Sequence, residues 1–148
     1  MQVQSSSPGA AAYLRGGSST PDLFGIVKFY PHRQGTLVVA DVFGLPQENN
    51  SDFFALHIHE GNRCAGDNFP ETGGHYNPAK APHPKHAGDL PPLLSCSGTA
   101  HLTVLTNRFS IPEIIGRTVV IHGGPDDFHS QPAGNAGIKI ACGVIRSV

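Results

Sequence analysis

Charge of one sign is what this chain most lacks. Ten Lys and Arg stand against eleven Asp and Glu, the formal net charge is −1, and charged residues make up only 14% of 148. No basic stripe runs along it, which excludes an electrostatic nucleic-acid binder. No stretch approaches the ~18 apolar residues of a membrane-spanning helix, so no membrane partner is expected. The opening MQVQSSSPGAAAYLRGG lacks a basic start followed by an apolar run, so it does not read as a secretory signal. The chain as written therefore reads as cytoplasmic, the alternative being export with the leader removed. Cysteine is sparse: Cys64, Cys96 and Cys142 form no C-x-x-C pair. A cysteine-based zinc finger is thereby excluded, and at most one disulfide can close within the chain. Internal repeats and a convincing amphipathic helix are also missing.

What is present suits one domain of strands and ordered loops. A 39% hydrophobic fraction can fill a single core and argues against disorder. Eighteen Gly and thirteen Pro lie well above the usual ~12% for the pair. Residues 1–9 read as a loose tail and 10–148 as the domain. Strand character is expected over Ala11–Arg15, Leu23–Tyr30, Thr36–Phe43, Ala55–His59, Thr99–Leu105, Thr118–His122 and Ile138–Ile145. Pro31 to Gly35 joins the second and third runs as a hairpin. Seven or eight short strands in one domain imply an antiparallel sandwich or barrel. Between Glu60 and Ser95 no strand signal occurs, and a second irregular stretch runs from Gly123 to Gly137. A structureless loop as long as the first is uncommon and must be held by something other than a backbone ladder, such as a metal or a disulfide.

Histidine is the anomaly, with nine residues against ten Lys and Arg together. His57-Ile58-His59 places two imidazoles on one face of a strand, because side chains at i and i+2 point the same way. His75, His83, His86 and Asp89 follow within the long loop and make a four-ligand set suited to zinc. His122 ends the strand TVVIH and adds a nitrogen from elsewhere. Six histidines and one aspartate exceed one tetrahedral site and fall one ligand short of two. A bridging imidazole would supply the shared ligand, so the tally hints at two metals. A nitrogen-only set favours copper, and three histidines with a carboxylate favour zinc. His32, His101 and His129 have no partners at ligand spacing and read as ordinary residues. An H-x-H followed by Glu60 also fits a cupin-type iron site, but that leaves His83, His86 and Asp89 unexplained.

The segments ALHIHE, GGHYNP, HAGDLP, GRTVVIHGGPDD and GNAGIKIACGVI, in this order, resemble the copper/zinc superoxide dismutase family, bacterial type, from about Ala11 to Ile145. The resemblance implies an all-β, eight-stranded antiparallel Greek-key sandwich or barrel, immunoglobulin-like, with two long functional loops. It implies His57, His59, His75 and His122 as copper ligands, and His75, His83, His86 and Asp89 as zinc ligands, with His75 bridging. It further implies Asp126 as a link between His57 and His83, and a Cys64–Cys142 disulfide. Cys96 matches nothing and reads as a buried spare thiol. The implied activity converts superoxide to oxygen and hydrogen peroxide, with His75 carrying a proton, and the implied assembly is a homodimer. Three departures stand out: Lys139 where the family has arginine, a short loop from Phe128 to Gly134 without formal charge, and Arg146 where a eukaryotic dimer contact stays apolar. They keep open the alternative of a metal-binding relative with little turnover.

Overall fold

Period-2 runs of β-branched residues fold where the sequence places them. The computed structural model describes residues 7–148 and contains strands β1 (Ala10–Gly16), β2 (Phe24–His32), β3 (Gly35–Phe43), β4 (Phe53–Phe54), β5 (Leu56–His59), β6 (Leu93–Leu94), β7 (Ala100–Thr106), β8 (Thr118–His122) and β9 (Lys139–Ser147). Seven of these form one curled antiparallel sheet in the order β5-β8-β9-β1-β2-β3-β7. The β2–β3 hairpin closes through the pair His32↔Gly35, leaving Arg33 and Gln34 as its two-residue turn. From β3 the chain crosses to the far edge at β5, returns beside β3 as β7, and crosses again to β8. These are Greek-key connections, as the resemblance implies.

Two strands escape the pattern. β4 and β6 pair over only two residues each, Phe53↔Leu94 and Phe54↔Leu93. β4 leads into edge strand β5, and β6 precedes edge strand β7, so the ribbon ties the two open edges together. Phe54 and Leu93 are fully buried beneath it. A one-turn helix, α1 (Ile111–Ile114), is also present, and the Ser110 backbone N–H donates to the Glu113 carboxylate at 2.6 Å.

Inward-facing Leu14, Val27, Phe29, Val38, Ala40, Val42, Ile58, Val119, Ile121 and Ile145 build the core. Residues 1–6 of the expected tail lie outside the described residues; Gly9 donates to the Phe29 carbonyl at 2.8 Å. No helix among the described residues is long and apolar enough to cross a membrane.

The long loop departs from expectation in how it is held. Part of it does form a ladder. Ile58 N–H donates to Gly88 O at 2.9 Å, Tyr76 N–H to Ile58 O at 2.8 Å, and Glu60 N–H to Gly74 O at 2.9 Å. Two returning segments of the loop thus cover the otherwise bare edge of β5, which would be open to pairing with another chain. The approach is close because Gly88 has no side chain; a Cβ there would collide with the Ile58 carbonyl. The Cys64–Cys142 disulfide, with Cα atoms 5.7 Å apart, ties the same loop to β9. Cys96 is exposed, contrary to the expectation of burial, because it opens a tight turn closed by reciprocal hydrogen bonds to Thr99.

Candidate metal centre

β5 presents Leu56 and Ile58 to the core and His57 and His59 to the opposite side, where the long loop covers them. All four side chains are buried. His122 arrives from the end of β8, and the loop delivers His75, His83, His86 and Asp89. Ligand atoms of His57, His59, His75 and His122 lie within 4.8 Å of one another, and so do those of His75, His83, His86 and Asp89. The structure thus brings together every histidine singled out in the sequence. His101 stands apart, exposed and paired with Asp41 across β3 and β7 at 2.6 Å. His32 and His129 join neither group.

Hydrogen bonds decide which nitrogen of each ring is bare. His59 Nδ1 faces only the Gly73 carbonyl at 2.8 Å, and His122 Nδ1 the Gly137 carbonyl at 3.1 Å. Both Nδ1 atoms must donate, so both Nε2 atoms carry free lone pairs, and these face each other at 3.2 Å. Two lone pairs so placed repel unless a cation lies between them. His57 donates through Nε2 to Asp126 Oδ2 at 2.8 Å, and His83 through Nε2 to Asp126 Oδ1 at 2.7 Å. Their Nδ1 atoms are left buried without a hydrogen-bond partner, as is Nε2 of His75. Orphaned buried polar atoms are rare and call for an explanation such as an ion. Here there are three, on histidines of both groups.

The second group has the dimensions of a tetrahedral site. His75 Nδ1 lies 2.8 Å from Asp89 Oδ1 and 3.1 Å from His86 Nδ1. Asp89 Oδ2 lies 3.0 Å from His83 Nδ1 and 3.4 Å from His86 Nδ1. Zinc–nitrogen bonds of ~2.0–2.1 Å at tetrahedral angles separate ligand atoms by about 3.3 Å, so this set needs little adjustment. His75 offers one nitrogen to each group.

Burial sets the proton affinities. Desolvation lowers His57 against the opposing hydrogen bond to Asp126, lowers His59 well below the usual range, and brings His122 down to about 3. Neutral imidazole is the form that binds metal. Asp126 and Asp89 are raised by desolvation but lowered more by their histidine partners, so both remain carboxylates.

Gln131, Arg108 and Gly134 support the groups without having been singled out in the sequence. Gln131 grips the His83 backbone at two points, accepting its N–H at 2.9 Å and donating to its carbonyl at 2.7 Å. Arg108 Nη1 donates to the carbonyls of Pro84 and His86 at 2.8 and 3.2 Å. Gly134, at φ +72°, lies where any Cβ would collide with Asp126 Oδ1 and His83 Nε2. In the sequence it stands only as the end of the short loop and the first residue of GNAGIKIACGVI. Lys139, paired with His122 in the β8–β9 register, donates from Nζ to Thr72 Oγ1 at 2.8 Å and to Gly73 O at 3.1 Å.

The family model for copper/zinc superoxide dismutase matches residues 23–145. The chain belongs to the copper/zinc superoxide dismutase family. Among its relatives, copper/zinc superoxide dismutase 1 of Aquifex aeolicus is 39% identical, with 76% of this chain and 73% of the relative covered. Copper/zinc superoxide dismutase 2 of the same organism is 36% identical, with 84% and 80% covered. The extracellular copper/zinc superoxide dismutase of Mus musculus is also 36% identical, with 84% of this chain and 54% of the relative covered. A crystal structure of a double mutant of a superoxide dismutase-like protein from Bacillus subtilis superposes with a TM-score of 0.77. Its identity is 25%, and 93% of this chain and 97% of that chain are covered. Copper and zinc are accordingly the metals of this superoxide dismutase fold, and the donor chemistry of its two histidine groups fits both.

Proposed function

We propose that this protein converts two superoxide anions and two protons to dioxygen and hydrogen peroxide. The observation that carries the reading is the convergence of bare imidazole nitrogens from His57, His59, His75 and His122 beside a tetrahedral three-histidine, one-carboxylate set. His57 Nδ1 and the Nε2 atoms of His59, His75 and His122 would hold copper. The Nδ1 atoms of His75, His83 and His86 with Asp89 would hold zinc. Copper bound there would supply the one-electron redox chemistry that dismutation needs.

The chain's residues do the rest. Asp126 accepts from His57 and His83 together, fixing both tautomers and both ring orientations across the two sets. His75 Nε2 is the atom at which a proton can be held between the two halves of the reaction. The Lys139 ammonium draws the anion toward the group and holds it by charge. The homodimer implied by the resemblance belongs to the same proposal, and light scattering would check it.

Elemental analysis of the purified protein beside a dismutation assay tests the reading: one copper and one zinc per chain, with turnover, are expected. His75→Ala should empty both sites, whereas His122→Ala should affect copper alone. Full zinc content in His75→Ala would show that His75 does not bridge.

A further inference from the structure

Lysine at position 139 raises a problem of donors. An ammonium has three N–H groups, where a guanidinium has five. Three acceptors on the loop face Lys139 Nζ: Thr72 Oγ1 at 2.8 Å, Gly73 O at 3.1 Å and Phe69 O at 3.5 Å. If all three bonds were firm, no N–H would remain for an anion.

The acceptors are not equal. Phe69 O already receives the Thr72 hydroxyl at 2.8 Å and the Thr72 backbone N–H at 3.2 Å. A carbonyl has two lone pairs, and both are taken. The 3.5 Å approach of Lys139 is a residual contact at the limit of hydrogen bonding. Gly73 O is likewise filled, by His59 Nδ1–H at 2.8 Å and Lys139 at 3.1 Å. Thr72 is fully buried, and its hydroxyl hydrogen is committed to Phe69. Its lone pairs are therefore turned to Lys139.

Resting on the proposed copper site, we infer that Thr72 is a positioning residue for anion capture: it pins the Lys139 ammonium by two firm bonds and leaves one N–H free for the anion. By occupying Phe69 O, its hydroxyl keeps that carbonyl from claiming the third donor. A lysine in this register does the work of a longer, forked side chain because the Thr72 hydroxyl stands one residue before Gly73, whose carbonyl accepts from His59. The sequence offers no hint of this, since Thr72 lies in a stretch read only as loop.

The test is azide binding to the copper- and zinc-loaded protein, followed by the azide-to-copper absorption band, with metal content measured for every variant. Thr72→Val removes the acceptor at nearly constant volume and should weaken azide about five- to tenfold, the scale of one hydrogen bond. Thr72→Ser should restore it. In a Lys139→Met background Thr72→Val should add nothing, and in a Lys139→Arg background it should cost little. Equal azide affinity for Thr72→Val and the parent overturns the inference, as does a Thr72→Val penalty that persists with Met at 139. Should Thr72→Val fail to fold, Thr72→Ala with Lys139 present and in the Lys139→Met background makes the same comparison. Absence of any azide band in the copper-loaded parent would instead overturn the copper assignment itself.

Discussion

Lys139 carries its charge close enough to His59 and His122 to oppose protonation of both. An ammonium so placed attracts a small anion whether or not it touches it, and salt screens that attraction. Lys139→Arg is expected to keep or modestly raise the dismutation rate, and Lys139→Ala and then Lys139→Glu to lower it stepwise, with metal content unchanged. The spread among the four should narrow as ionic strength rises. Equal rates at low salt would remove Lys139 from the anion's path. At the same scale, Gly134→Ala should disturb His83 more than either histidine of β5, because its methyl collides with the Asp126–His83 hydrogen bond. A loss of zinc affinity of about 10–100-fold is expected, the usual cost of disturbing a group that orients a ligand. Competition with a chromophoric chelator would measure it.

Elements with a strong period were legible in the sequence. The expected strand Thr118–His122 matches β8 residue for residue, and the others shift by one or two residues at their ends. β4 and β6 were not legible, because two-residue strands have no period to read. Nor was the ladder along β5, since its partners, Gly74 to Tyr76 and Gly88, are short glycine-bearing stretches with no period to read. The histidine cluster was legible because imidazole spacing is unusual in itself; Thr72, Gln131 and Arg108 act through loop carbonyls and hydroxyls, which any loop possesses. The disulfide belongs to this scale. It closes a separation of 78 residues, for which chain entropy gives about 4–5 kcal/mol. Because it ties the loop that carries Gly73, Cys64→Ser with Cys142→Ser should reduce thermal stability and also loosen His59, whose Nδ1 leans on that carbonyl. Chemical denaturation with and without reductant checks the first, and copper retention the second.

For the whole molecule, the histidine centre makes folding sensitive to acid. His57, His59, His86 and His122 all have lowered proton affinity in the folded chain, mainly through desolvation. Below their ordinary value of 6.5 the unfolded chain therefore binds more protons than the folded one, and stability falls with pH. For His122 that loss continues down to about 3. Asp89 and Asp126, lowered in the fold, add to it below 3.8. The metal-free protein is expected to be most stable above pH 6.5, with a melting temperature that drops steadily from pH 6.5 to pH 4. A flat profile over that interval, by calorimetry, would show that these histidines are not held neutral.

His75 faces both groups through its two nitrogens, and the Asp126 carboxylate holds one histidine of each. Two separate joints therefore connect the halves of the centre. If each group takes an ion, filling either half fixes the joints that the other half needs, so the second ion meets a ligand set whose ordering has already begun. Thermodynamic reciprocity then requires that zinc raise the affinity for copper by the same factor by which copper raises the affinity for zinc. When both ions are scarce, chains should sort into empty and doubly filled populations, with singly filled ones under-represented in a native mass spectrum.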